Sequence, residues 1–276
     1  MDRSDRTVLV TGANSGIGLA TAIEVARQGL RAVGSVRSDA KGDVLRDAAD
    51  QAGVEVEVVL LDVTDADQCA DVLGGLDLWG LVNNAGYALT GAVEDVDEAE
   101  ARALFDTMVF APVRLARLAL PAMRARGQGR IVNVSSIAGR VSAPFGGWYA
   151  GAKHAIEALS DALRVEVARD GVHVALVEPG GVKTNIWEDL RHDVAKLEAA
   201  GSRHTEALER FQRVQQLIEP IMGQPEQCAR TIATALTTRL PRDRYLVGLD
   251  AQAINLTNRL TPTPVVDRFM RLVLGL

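Results

Sequence analysis

Cysteine is scarce in this chain: two in 276 residues, Cys69 and Cys228, far apart in sequence. They form neither a CxxC pair nor a disulfide framework, which excludes a disulfide-stapled scaffold and suits a reducing cytosol. Long apolar runs are missing as well. No stretch approaches the roughly 18 apolar residues of a membrane span, and no signal-peptide-like stretch follows the polar start Met1 to Arg6. There is no excess of positive charge: 30 Lys and Arg stand against 36 Asp and Glu, a net charge of −6. Binding to nucleic acid or to an anionic membrane is therefore not expected. The histidines, His154, His173, His192 and His204, show no H-x-x-x-H or H-E-x-x-H spacing, so no metal site is expected. Repeats and low-complexity segments are absent. What remains is an ordinary globular mixture, 47% hydrophobic and 24% charged, which predicts a soluble, cytoplasmic protein with a sizeable core.

Apolar runs alternate with helical patterns. Thr7–Val10, Arg31–Val36, Val54–Leu61, Leu78–Val82, Ile131–Val134 and Val172–Val177 read as strands, with Tyr245–Val247 as a seventh. Gly16–Gln28, a polar stretch to about Gln51, Asp65–Leu73, Asp97–Arg126 and Trp148–Arg169 read as helices. Pro112 is expected to bend the long one. This order predicts an α/β fold built on βαβ units: a doubly wound parallel sheet of about seven strands with helices on both faces. After Gly181 the pattern becomes helical and charged over Asn185–Glu219, followed by a helix over Pro225–Leu240. We read residues 1–276 as one domain, with a helical insertion at about 185–225 and a C-terminal extension at about 248–276. Within the extension, Phe269–Leu274 is expected to close the core as a short helix, with docking on a partner subunit or membrane surface as the alternative.

Between the first strand and helix lies Thr11-Gly12-Ala13-Asn14-Ser15-Gly16-Ile17-Gly18. Glycines here permit a sharp turn, close approach of a pyrophosphate and tight helix–strand packing, and the helix N-terminus offers free N–H groups to phosphate. The pattern resembles the short-chain dehydrogenase/reductase family, whose other landmarks follow in order. Asn83-Asn84-Ala85-Gly86 follows the fourth strand, Asp62-Val63 ends the third, Tyr149-Ala150-Gly151-Ala152-Lys153 matches Y-x-x-x-K, and Pro179-Gly180 with Thr184 matches P-G-x-x-x-T. The resemblance spans about residues 6 to 184, is strongest for steroid- and retinol-dehydrogenase-type members, and implies a Rossmann-type fold. It assigns dinucleotide binding to Gly12, Asn14, Ser15, Gly16, Ile17, Gly18, Asp62, Val63, Asn84, Ala85, Gly86, Tyr149, Lys153, Pro179, Gly180, Val182 and Thr184. The second strand runs out as Gly34-Ser35-Val36-Arg37 with no acid at its tip. Arg37 can fork onto a 2′-phosphate, which points to NADP(H) as the preferred cofactor with NAD possible.

Tyr149 and Lys153 stand four apart on one helical face, so the ammonium is expected to lower the phenol pKa towards the useful range. The resemblance makes Tyr149 the proton donor in carbonyl reduction and the base in alcohol oxidation. It gives Lys153 a second role on the nicotinamide ribose, and makes Ser136, 13 residues before Tyr149, the group that holds the substrate oxygen. One position departs from the pattern: Met108 stands where the family's fourth helix usually has an asparagine that holds a relay water behind the lysine. Val141, Ala143, Pro144, Phe145 and Trp148, with Ile186, Trp187 and Leu190, are expected to line an apolar cleft. The predicted activity is oxidoreduction of a hydrophobic ketone or aldehyde and its alcohol. The alternative is a dinucleotide-binding sensor of the same fold with little turnover. A sugar-nucleotide epimerase would show G-x-x-G-x-x-G at the turn, which is not there. The family implies a homodimer or homotetramer through the helices at about 97–126 and 148–169, the second of which carries Ala155, Ala158, Leu159, Ala162 and Val165.

Overall fold

Strand β1 (Thr7–Thr11) is buried at every position. A strand achieves this only with partners on both edges and helices on both faces. The computed structural model describes residues 3–184 and 186–276, with backbone alone over 186–190. From β1 the chain runs through α1 (Gly16–Arg27), β2 (Arg31–Val36), α2 (Asp39–Ala52), β3 (Val56–Leu60), α3 (Ala66–Gly74) and β4 (Leu78–Asn83). Then come α4 (Glu98–Phe105), α5 (Ala111–Arg126), β5 (Gly129–Val134), α6 (Gly147–Glu166) and β6 (Val172–Pro179). The last elements are α7 (Ile186–Ala199), α8 (Thr205–Ile218), α9 (Pro225–Thr237), β7 (Arg244–Val247), α10 (Leu249–Leu260) and α11 (Thr263–Leu274).

All seven strands are parallel, in the order β3-β2-β1-β4-β5-β6-β7. The chain winds outward from β1 to β3, then returns to lay β4 on the other side of β1. This reversal opens a crevice beyond the carboxyl ends of β1 and β4, the place where such sheets bind ligands.

Alternate strand residues feed two cores. Val8, Val10, Val82 and Val177 pack under α1 and α9, while Leu9, Leu81, Ile131 and Val174 pack under α3 and α5. Cys228 lies in the first core and Cys69 in the second, both as free thiols, so the sheet separates them. Among the described residues no helix is long and apolar enough to cross a membrane.

Two expectations are corrected. The single proline-bent helix over Asp97–Arg126 is broken instead into α4, a π-helical turn at Asp106–Phe110, and α5. Pro112 is the second residue of α5, directly after the π-helical turn. The irregularity is thus absorbed just ahead of the proline, by a wider turn. The third strand stops at Leu60, which leaves Asp62 and Val63 on the loop beyond it.

Helices α7 and α8 form a flap on the loop after β4. Its small core joins Val194, Leu197, Ala207 and Leu208 to Ala92, Phe145 and Leu274. Leu274 therefore closes this cluster from the C-terminal helix, as expected, while Phe269 and Leu272 on α11 face solvent.

Candidate active site

The loop leaving β1 turns through Gly12 at φ +65° and Gly16 at φ +51°, conformations that penalise a side chain. Gly18 is constrained by space instead. A Cβ there would stand 2.2 Å from the Gly12 carbonyl oxygen and 2.4 Å from Asn84 Nδ2. The reason is a set of cross-links between the ends of β1 and β4. Thr11 Oγ1 accepts from the backbone N–H of Asn84 at 2.9 Å and of Ala85 at 3.0 Å. Asn84 Nδ2 donates back to the Thr11 carbonyl at 2.9 Å. Thr11 was not among the expected residues. Its signal in the sequence is a hydroxyl at the strand end, heading the glycine turn.

The cradle fits a dinucleotide. Ser15 caps α1 in extended backbone without using its hydroxyl on the helix, and no acidic side chain occupies the first turn. The N–H groups there are open to a phosphate, and an added Cβ at Gly12 would narrow the space against Ala85. Asn14 and Ile17 lie on the same turn, half-buried. Thr184 reaches it from the far side: a Cβ on Gly16 would lie 3.0 Å from Thr184 Cγ2. Pro179 ends β6, Gly180 N–H donates to the Val247 carbonyl at 2.9 Å, and Val182 is buried and bridges to Gly223.

At the adenine end, Thr64 donates to Asp62 Oδ1 from its N–H at 2.9 Å and its hydroxyl at 2.6 Å. These bonds hold the Asp62 carboxyl below the usual range, with Arg37 adding a smaller charge effect. Arg37 is exposed just past β2, near Asp62. Asp39 is the first residue of α2, behind the Ser38 cap. Val63 is buried, so only its backbone faces this end, and its carbonyl accepts from Arg114 at 2.8 Å.

The catalytic candidates converge beyond β5. Ser136 follows that strand, half-buried, with Oγ accepting from Ala138 N–H at 3.1 Å. On α6, Lys153 is buried, donates from Nζ to the Val134 carbonyl at 2.8 Å, and lies 5.6 Å from the centre of the Tyr149 ring. Burial pulls the Lys153 ammonium down to about 8, against the opposing charge of Glu157. The expected lowering of the Tyr149 phenol is not what the structure produces. Burial pushes it above 10, and the Ser136 hydroxyl opposes this by hydrogen bonding. Desolvation outweighs that hydrogen bond because a buried phenolate loses more hydration than one hydroxyl returns.

Met108 lies in the π-helical turn, buried among Leu89, Leu104, Val109 and Ala152. A Cβ on Gly86 would touch its Cγ at 3.3 Å. The side chain therefore packs beneath the segment after β4.

A family model described as short chain dehydrogenase matches residues 6–195. The chain belongs to that family. Retinol dehydrogenase 7 of Mus musculus is 32% identical over 282 residues, covering 96% of this chain and 88% of the relative. A metagenomic short-chain oxidoreductase solved in complex with NADP is 26% identical, with a TM-score of 0.70 over 89% of this chain and 97% of that one. A short-chain dehydrogenase/reductase from Burkholderia phymatum solved in complex with NAD is 26% identical, with a TM-score of 0.81 and 97% of each chain covered. This short-chain dehydrogenase/reductase is an NAD(P)-dependent oxidoreductase.

On the substrate side of the dehydrogenase, one expected residue is placed otherwise. Phe145 does not face a cleft. It is buried at φ +68° and packs edge-on against Phe211 at 5.8 Å and His204 at 6.1 Å, inside the flap core. Trp148 remains beside Tyr149, edge-on to Phe105 at 6.3 Å and donating from Nε1 to the Val93 carbonyl at 3.2 Å. Val141 and Pro144 are half-buried and Ala143 is exposed. The side chains of Ile186, Trp187 and Leu190 lie outside the described residues. Sequence reasoning also missed the polar support beneath the site. Asn83 Nδ2 donates to Asn133 Oδ1 at 2.8 Å, and Asn133 Nδ2 donates to Ser160 Oγ at 2.8 Å, which ties β4, β5 and α6 together.

Proposed function

We propose that this dehydrogenase interconverts a hydrophobic ketone or aldehyde and its alcohol, with NADP(H) as the preferred dinucleotide. The convergence of Ser136, Tyr149 and Lys153 beside the glycine cradle carries this reading. The bound dinucleotide supplies or accepts the hydride. Ser136 orients the substrate oxygen through its hydroxyl. Tyr149 gives that oxygen its proton in reduction and takes it back in oxidation. A phenol kept protonated by burial suits the donor role. Lys153, tethered to the Val134 carbonyl, presents a cation next to the phenol and to the place of the nicotinamide ribose. The apolar surroundings of Tyr149, including Leu89, Val96 and Trp148, favour a hydrophobic substrate, in keeping with the retinol dehydrogenase name of the mouse relative.

Arg37 supports the NADP(H) preference, since its exposed fork stands near Asp62 with no acid at the β2 tip to hold ribose hydroxyls. An exposed apolar stripe on α6, with Leu159 and Val165 beside Ala158 and Ala162, supports a homo-oligomer.

The experiment is a panel of apolar ketones and alcohols followed by nicotinamide absorbance. Tyr149→Phe should lose at least about a hundredfold in turnover, the scale of positioned acid–base catalysis, while still binding NADPH. Arg37→Asp should turn the preference towards NADH. Full turnover in Tyr149→Phe removes the assignment, and equal wild-type affinity for NADH and NADPH removes the cofactor preference.

A further inference from the structure

We propose that Glu157 is a positioning residue for the reaction: its buried carboxylate is the counter-charge that keeps the Lys153 ammonium in place and charged. This rests on the reading of Tyr149 and Lys153 given above. Tyr149, Lys153 and Glu157 stand at successive four-residue steps on α6 and therefore share one face. Lys153 and Glu157 are each 7% exposed. An ammonium taken that far out of water persists only with a partner charge, and the anion that acts on Lys153 is Glu157.

The carboxylate is itself held from several elements. On β7, Arg244 Nε lies 3.1 Å from Glu157 Oε2 and 3.2 Å from Glu178 Oε1, while its Nη2 reaches Asp161 at 2.6 Å. On β6, Glu178 is fully buried and also takes both arms of Arg140, at 2.6 and 2.9 Å. Arg164 closes the far side through Asp161 at 2.5 Å. Burial pushes the Glu157 carboxyl above its ordinary range, against the neighbouring Ser135 hydroxyl at the end of β5, while the Glu178 charge adds to the rise and Arg244 opposes it. Gly139 lets the turn after Ser136 settle onto the group: a Cβ there would lie 2.8 Å from Ser135 Oγ and 2.9 Å from Glu157 Cγ. Three acids, Glu157, Glu178 and Asp161, thus face the cations Lys153, Arg140, Arg244 and Arg164.

Within this set Glu178 has both oxygens engaged by arginine, whereas Glu157 Oε1 completes no hydrogen bond among the described residues. Arg244 grips one oxygen and leaves the other unengaged. Its i−4 neighbour Lys153 shares that face of α6, and among the described residues its ammonium hydrogen-bonds to the Val134 carbonyl and forms no direct ion pair. Met108, on the neighbouring π-helical turn, offers only a thioether.

The test uses the cofactor-free full chain. It has four lysines, Lys41, Lys153, Lys183 and Lys196, so carbon-13 signals from labelled lysine Cε can be followed singly, with Lys153→Arg giving the assignment. Lys153 should titrate at about 8 in the wild type and about 1 pH unit lower in Glu157→Gln, the scale of losing one close opposite charge. Glu157→Asp should give an intermediate midpoint. The alkaline limb of kcat should move down by the same interval, a displacement that packing alone does not produce. An unmoved Lys153 midpoint in folded Glu157→Gln overturns the inference. If that variant does not fold, an unmoved midpoint in Glu157→Asp does so. Turnover retained by Tyr149→Phe would remove the catalytic reading while leaving the lysine titration to stand or fall by itself.

Discussion

The glycine crevice and the α7–α8 flap are held by different physics. In the crevice the bonds are made by backbone and by short buried side chains: Thr11 takes two N–H groups, Asn84 returns one, and Gly18 leaves no room for a methyl. Nothing there depends on a long side chain finding a rotamer. The flap rests on a few apolar contacts and a rim of side-chain links to the loop after β4 and to α4. Asp193 accepts from Thr90 N–H at 2.9 Å, His204 meets Glu94 at 2.9 Å, Ser202 donates to Asp95 at 2.6 Å, and Lys196 pairs with Glu100 at 2.6 Å. Several of those partners stand in water, which competes for them. The cofactor end is therefore fixed by geometry, and the substrate end by contacts that open at low cost.

The strongest blow to that contrast is Gly18→Ala. Its Cβ meets backbone oxygen, which cannot swing aside, so a loss of about 3 kcal/mol and of dinucleotide affinity is expected in urea unfolding and titration. Leu208→Ala empties the centre of the flap core and should cost about 3 kcal/mol locally. Hydrogen exchange should then quicken over α7 and α8 while β1 and β4 stay protected. Equal loosening of both would show that crevice and flap unfold together. Thr11→Val keeps the shape and removes the acceptor of two N–H groups, for a cost of about 2 kcal/mol and a wider crevice, read by denaturation and NADPH affinity. At the small end, Lys196→Ala should leave the melting temperature unchanged, since its pair with Glu100 is at the surface. A clear drop would mean that the rim matters more than the flap's apolar core.

What could be read from residues alone follows the same division. The strand segments, the glycine turn and the Tyr149–Lys153 face are local patterns, and the seven-stranded parallel sheet came through. Contacts joining distant segments leave no local trace. Thr11 differs little from any strand-end threonine until β4 lies beside it, and Arg244 gives no hint of meeting Glu157 and Glu178. Phe145 was misread for a related reason: its buried, positive-φ position depends on Phe211 and His204, more than fifty residues later. The Tyr149 phenol shifted the opposite way because spacing gives the neighbour's charge but not the depth of burial.

The placement of Arg244 on the last strand of the sheet has a consequence for the chain as it is made. Synthesis runs from the amino end, and early segments begin to fold before late ones exist. When the ribosome has finished α6 and β6, Glu157 and Asp161 have been made without the guanidinium that bridges them to Glu178. Until β7 docks, this part of the nascent protein carries acids it cannot bury at low cost. The centre beneath Lys153 is thus completed only once β7 is in place, and a product cut short before Arg244 would lack that bridge.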